Sequence, residues 1–158
     1  EHAECVAAMA AGTADIAMLP QPFVTAAQGK IEDLRTALDL TAEWDALDNG
    51  SAMITGVAVA RRAFVEEHPE LAERFLEEYA ASVSWVNANP AEAGALIAEY
   101  GIVESAALAE KALPQCNIVC LTGQEMYDKL SGYLQILSET APESVGGRLP
   151  RDDFFYGA

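Results

Sequence analysis

Positive charge is scarce in this sequence. Nine Lys and Arg stand against 25 Asp and Glu in 158 residues, a formal charge of −16. A chain with no basic patch cannot displace the counterions of a nucleic acid or settle on anionic lipid, so nucleic acid is excluded as a partner. No stretch approaches the ~18 consecutive apolar residues of a membrane-spanning helix. Histidine is equally rare, with His2 and His68 far apart. Cysteine is limited to Cys5, Cys116 and Cys120, an odd number that cannot all pair within the chain. Cys116 and Cys120 have no other Cys or His nearby, which speaks against zinc and for buried free thiols. Neither Ser nor Cys stands in a nucleophile-elbow pattern, and P-loop and dinucleotide fingerprints are missing. The expectation is a protein that is not an enzyme, with no catalytic or metal-binding residue and no cofactor.

Apolar residues make up 51% and charged residues 22%, the range of a globular domain with a real core. The acids fall at exposed helix positions, where they make a soluble face. Ala3–Ala11 is Ala-rich and reads as the latter part of a helix closed by Gly12 as its C′ residue. Glu1–Gly12 contains no signal peptide, lipobox or initiator Met, so the sequence is expected to start partway through a longer protein. Three apolar stretches then read as strands: Asp15–Leu19, Leu34–Leu40 and Ala52–Arg62, the last bent near Gly56. Between them lie the turn Pro20-Gln21-Pro22, a short helix from Phe23 to Gln28, and a polar stretch with the turn signal Asp48-Asn49-Gly50.

From Pro69 onward the pattern is helical. Pro69 suits a first helical position, and Leu71, Phe75, Tyr79, Val83 and Val86 recur every three or four residues as one apolar stripe. Asn89-Pro90 stops that helix and starts the next, which ends at Gly101. Further helices are expected over Glu104–Leu113, stopped by Pro114, and over Gln124–Glu139. Strands alternating with helices imply an α/β fold with a parallel sheet and a helix-rich C-terminal section.

Several motifs, in order, resemble the nitrate/sulfonate/taurine group of ABC-importer substrate-binding proteins. They are Gly12-x-x-Asp15 followed by Pro20-Gln21-Pro22-Phe23, then Glu67-His68-Pro69-Glu70 after the Ile54–Arg61 segment. Trp85 with Asn87-Ala88-Asn89-Pro90 follows, and then a tail from Gly123-Gln124-Glu125-Met126 through Gly146-Gly147-Arg148-Leu149-Pro150 to Asp153-Phe154-Phe155-Tyr156. The resemblance covers the whole chain but only the C-terminal half of the family's usual length. It implies part of a two-lobed type II periplasmic-binding-protein fold. Residues 1–42 would belong to the distal lobe, 43–56 to a hinge, and 57–158 to a mostly helical return into the first lobe. A related group, the fungal thiamin-pyrimidine synthases, carries a cysteine-rich stretch before the return strand. Ser51-Ala52-Met53-Ile54-Thr55-Gly56-Val57 has no cysteine.

The resemblance also proposes a ligand site. Pro20, Gln21 and Phe23 form the turn that would sit at the cleft, with Pro22 at helix N1 and unpaired amides behind it. Gln21 offers a donor and an acceptor, and Phe23 a ring to stack on a solute. By itself the turn also reads as an ordinary β–α connection with Phe23 in the core. Thr55 and Gly56 read either as cleft residues or as a hinge, and Trp44 either as a ligand wall or as a ring buried on a neighbouring element. The implied function is non-catalytic: binding a small polar molecule between two lobes and delivering it to the membrane permease subunits of an ABC importer. The implied location is periplasmic, or extracellular and membrane-anchored. An isolated half of this kind would expose apolar surface and self-associate or domain-swap. The alternative is a helical protein-interaction module without a ligand cleft.

Overall fold

The computed structural model describes residues 1–157, and among them it contains helices and no strand. The α/β expectation is therefore corrected. Residues 15–19, 34–39 and 52–61 run without regular structure and pair with nothing to form a sheet. The physical reason is that an apolar run specifies extended backbone only when another strand takes up its N–H and C=O groups. Residues 52–60 take part in no main-chain hydrogen bond among the described residues.

Among the described residues eight α-helices occur in order: α1 His2–Ala10, α2 Phe23–Gln28, α3 Leu40–Asp45, α4 Arg62–Glu67, α5 Pro69–Ala88, α6 Pro90–Glu99, α7 Ala106–Ala112 and α8 Gly123–Thr140. Short 3-10 turns follow at Leu113–Gln115, Pro142–Val145 and Asp152–Phe154. Gly12 and Gly101 stand at φ +68 and +66 just past α1 and α6, the left-handed closure that their helices require. Two helices were not legible as such. In α3 the Asp39 carboxylate accepts from the amides of Thr41 and Ala42. In α4 the C-terminal end is His68, whose ring lies 5.4 Å from Phe64.

The chain divides into two compact units, one of residues 1–36 and 70–120 and the other of residues 37–69 and 121–158. In the first unit α1 packs on α2, α2 on α7, and α6 on α7. The α6–α7 contact is the tightest: a Cβ at Gly94 would stand 2.8 Å from the Ala106 carbonyl oxygen and 3.0 Å from the Glu110 nitrogen. Ala93, Ala109, Ala112 and Leu113 are buried around it. In the second unit α8 packs on the 142–145 turn, with Leu130 and Phe155 buried. Phe155 meets Tyr127 edge-on at 4.9 Å, so the C-terminal aromatic cluster anchors its own unit through the middle ring.

The stripe expected to face the core of α5 does not do so. Val83 is buried, but Leu71, Phe75 and Tyr79 are 47%, 52% and 41% exposed. The less exposed side is rotated toward Ala72, Leu76 and Ala80. Among the described residues no other helix packs against α5. The accessible surface is 11230 Å², and exposed apolar side chains lie along the whole chain, with Ile16, Met18 and Val59 more exposed than Leu71 or Phe75. A compact monomer of this mass exposes about 7,700 Å², and even two separate compact units of half the mass expose about 9,200 Å² together.

Candidate functional site

Proline, glutamine and phenylalanine of the turn before α2 remain close in the first unit, but their polar groups are already engaged. The Pro20 carbonyl accepts from the amides of Phe23 at 2.9 Å and Val24 at 3.3 Å. The Thr25 amide donates to Gln21 Oε1 at 3.3 Å, and the Thr25 hydroxyl donates to the same oxygen at 2.8 Å. The free amides expected behind Pro22 are thus taken up locally. Pro22 itself precedes α2 as its N-cap, and Phe23 is the first helical residue. A six-residue helix whose first amides fold back onto the turn leaves no open anion cradle.

Gln21 does something the sequence did not reveal. Its Nε2 donates to Gln115 Oε1 at 2.7 Å, across 94 residues of chain. Thr25, Gln21 and Gln115 therefore form a relay that ends in the exposed Gln115 amide. Such an end offers neutral donors to an anionic or polar group, and no fixed charge of its own. Gln115 escaped notice because only Pro114, as a helix stop, marked its surroundings. Phe23 is half-buried with its ring 5.2 Å from that of His2, rather than deep in a core.

Trp44, Thr55 and Gly56 belong to the second unit. Trp44 Nε1 donates to Ser51 Oγ at 3.0 Å, and its ring meets Tyr133 edge-on at 5.2 Å. Ser51 is buried and in turn donates to Asn49 Oδ1 at 2.7 Å. The indole is committed to its neighbours, as a buried polar donor requires. Thr55 and Gly56 are exposed, and nothing lies within 4 Å of the place a Gly56 Cβ would occupy. The same unit carries an apolar groove of about 450 Å³ between Val57, Leu130, Leu134, Val145, Leu149 and Phe154, with Arg148 at its edge.

The titratable groups add two local facts. The Tyr127 phenol donates to Asp152 at 3.0 Å, and this hydrogen bond, followed by the carboxylate charge, pushes its ionisation upward. Burial pushes the Cys116 thiol upward, and its Sγ donates to the Ala112 carbonyl at 3.2 Å. All three cysteines are free; Cys116 and Cys120 are partly buried as expected, whereas Cys5 is exposed. Among the described residues no three His, Cys, Asp or Glu converge on a metal position, and no helix is long and apolar enough to cross a membrane.

The chain is similar in structure to a crystallised ABC transporter protein from Parabacteroides distasonis. The TM-score is 0.78 at 28% identity, over 98% of this chain. It spans only 53% of the neighbour's length. No family model and no curated protein sequence matches it. The neighbour's name describes it as an ABC transporter and says nothing of what it carries.

Proposed function

We propose that this chain is part of a solute-binding component of an ABC-type importer, one that holds a small polar molecule without transforming it. The observation that carries the reading is the match to the ABC transporter chain over 98% of the length. The ordered motifs of the nitrate/sulfonate/taurine group, from Gly12 to Tyr156, support it independently. The relay from Thr25 through Gln21 to Gln115 supplies the recognition chemistry in the first unit. Its neutral amide end suits an oxyanion such as a sulfonate or nitrate, because amide donors satisfy oxygen acceptors without a buried charge. The partners would be the importer's membrane subunits, on the outer side of the cytoplasmic membrane.

Calorimetric titration of the 158-residue protein with taurine, an alkyl sulfonate and nitrate tests this. Saturable binding of one of them, weakened at least tenfold by Gln115→Leu, is the expected result. No heat with any of the three, in a protein that remains helical, would retire the solute-binding reading. A second reading, a helical interaction module, is favoured by the wholly helical regular structure and the exposed α5 stripe. It predicts that no solute is bound.

A further inference from the structure

We infer that the 152–156 segment is a releasable latch: it fastens residues 52–67 to the second unit through Arg62, and its release frees that stretch from the apolar groove beside α8. This inference does not rest on the solute-binding reading.

The stretch is held unevenly. The anchor before it is buried. Ser51 is shielded from water and sits so close to α8 that a Cβ on Gly132 would stand 2.8 Å from its own Cβ. Trp44, which donates to Ser51, has its ring against Tyr133 of the same helix. Beyond Ser51 the hold weakens. Residues 52–60 take part in no main-chain hydrogen bond among the described residues. The helix that follows, α4, has no buried residue, and among the described residues it packs on no other helix. Among those residues, Arg62 is the one side chain of α4 that bonds to another element. Its Nη2 donates to the Asp153 carbonyl at 2.7 Å and lies 3.1 Å from the Asp153 carboxylate.

On the other side of that bond the segment is itself fixed. The Tyr127 phenol donates to Asp152 at 3.0 Å. Phe155 is buried with its ring 4.9 Å from that of Tyr127, and Phe154 meets Phe155 edge-on at 5.4 Å. Two consecutive aspartates thus divide the roles. Asp152 joins the segment to α8, and Asp153 joins it to α4.

Exposure decides which bond gives way. The Arg62 and Asp153 side chains are 58% and 63% exposed, so salt screens their attraction and the pair adds little to the stability of the whole unit. Ser51 and Phe155 are withdrawn from water and are not screened in this way. Breaking the Arg62 pair therefore frees residues 52–67 by a local opening, with α8 still folded. The groove responds to the same motion. Val57 lies on the freed stretch and Phe154 on the latch, and the two are walls of one groove with Leu130 and Leu134. Opening the latch parts those walls.

Trypsin digestion of the native 158-residue protein, followed by mass spectrometry, tests this. Arg61 and Arg62 supply cleavage sites on the latched stretch, and Lys129 supplies a reference site on α8. The readout is the rate of cleavage after Arg61 and Arg62 divided by the rate after Lys129. Asp153→Asn should raise that ratio about threefold, the factor that an exposed ion pair supports. Sodium chloride at about 1 M should raise it as much in the unaltered protein and add nothing to the variant. A ratio that Asp153→Asn leaves unchanged overturns the inference, including the case in which all three sites accelerate together because the unit opens as a whole. A ratio indifferent to salt in the unaltered protein overturns it as well, and that arm requires no variant to fold. No solute is present in either arm, so the importer reading stands or falls on its own titration.

Discussion

The α6–α7 pair and all of α5 after Pro69 lie in the same unit, yet they end in opposite states. In α6–α7 the side chains are small, with Ala93, Gly94, Ala109 and Ala112 at the contact. Two backbones can then approach until the missing Cβ of Gly94 is all that prevents a clash. In α5 the apolar residues are large, and four of them, Leu71, Phe75, Tyr79 and Trp85, face water. Hydrophobicity alone does not decide burial. A small-residue face can be closed by a neighbour only one short loop away, whereas a large-residue face needs an element that none of the described helices provides.

That contrast can be broken most sharply at Gly94. Gly94→Val forces two methyl groups onto backbone atoms that cannot rotate away, so it should cost about 3 kcal/mol, read as a lowered midpoint in urea unfolding followed at 222 nm. Gly132→Ala makes a milder version of the same change in α8. Its Cβ would meet Ser51 Cβ at 2.8 Å, and we expect a loss of about 1 kcal/mol after the gain in helix propensity is set against it. At α5 the logic reverses. Phe75→Ser should change the stability of the isolated chain by no more than about 0.5 kcal/mol, because the ring is already half in water. A large loss there would mean that the stripe is covered in solution.

Two further measurements probe groups that leave stability nearly untouched. Alkylation should reach the exposed Cys5 first and Cys116 last, since burial disfavours the reactive thiolate of Cys116. Equal rates would show that the 113–116 turn opens freely. An ultraviolet titration should show a tyrosine phase displaced upward from the ordinary phenol range, and Tyr127→Phe should remove it. The sign follows from the raised value. The Tyr127–Asp152 contribution is complete below the ordinary phenol range of about 10 and is lost as pH climbs through the raised one.

Local signals in the chain were legible where the causes are local. Gly12 and Gly101 mark the ends of α1 and α6, Pro69 and Asn89-Pro90 mark the starts of α5 and α6, and the periodicity of Met126, Leu130, Tyr133 and Leu137 marks α8. The three expected strands were misread because a short apolar run reports only a tendency toward extended backbone. The hydrogen bonds that turn such a segment into a sheet come from another strand, and no period within one segment records whether that strand is there. Two short helices, α3 and α4, fell below the length at which periodicity is readable.

The candidate site divides in the same way. Gln21 and Trp44 stood out by residue type, but their partners Gln115 and Ser51 did not. One partner lies 94 residues away, and the other is a serine with no distinguishing neighbour. By itself the sequence determined charge, helix boundaries, and the absence of catalytic and phosphate-binding motifs, since each depends on residue identity or on contacts within one or two turns. Only the tertiary structure decided which apolar faces are covered, which amides of the Pro20 turn remain open, and where the Gln21 side chain ends. Those outcomes depend on what packs against each residue, and packing partners are fixed by the whole chain in space.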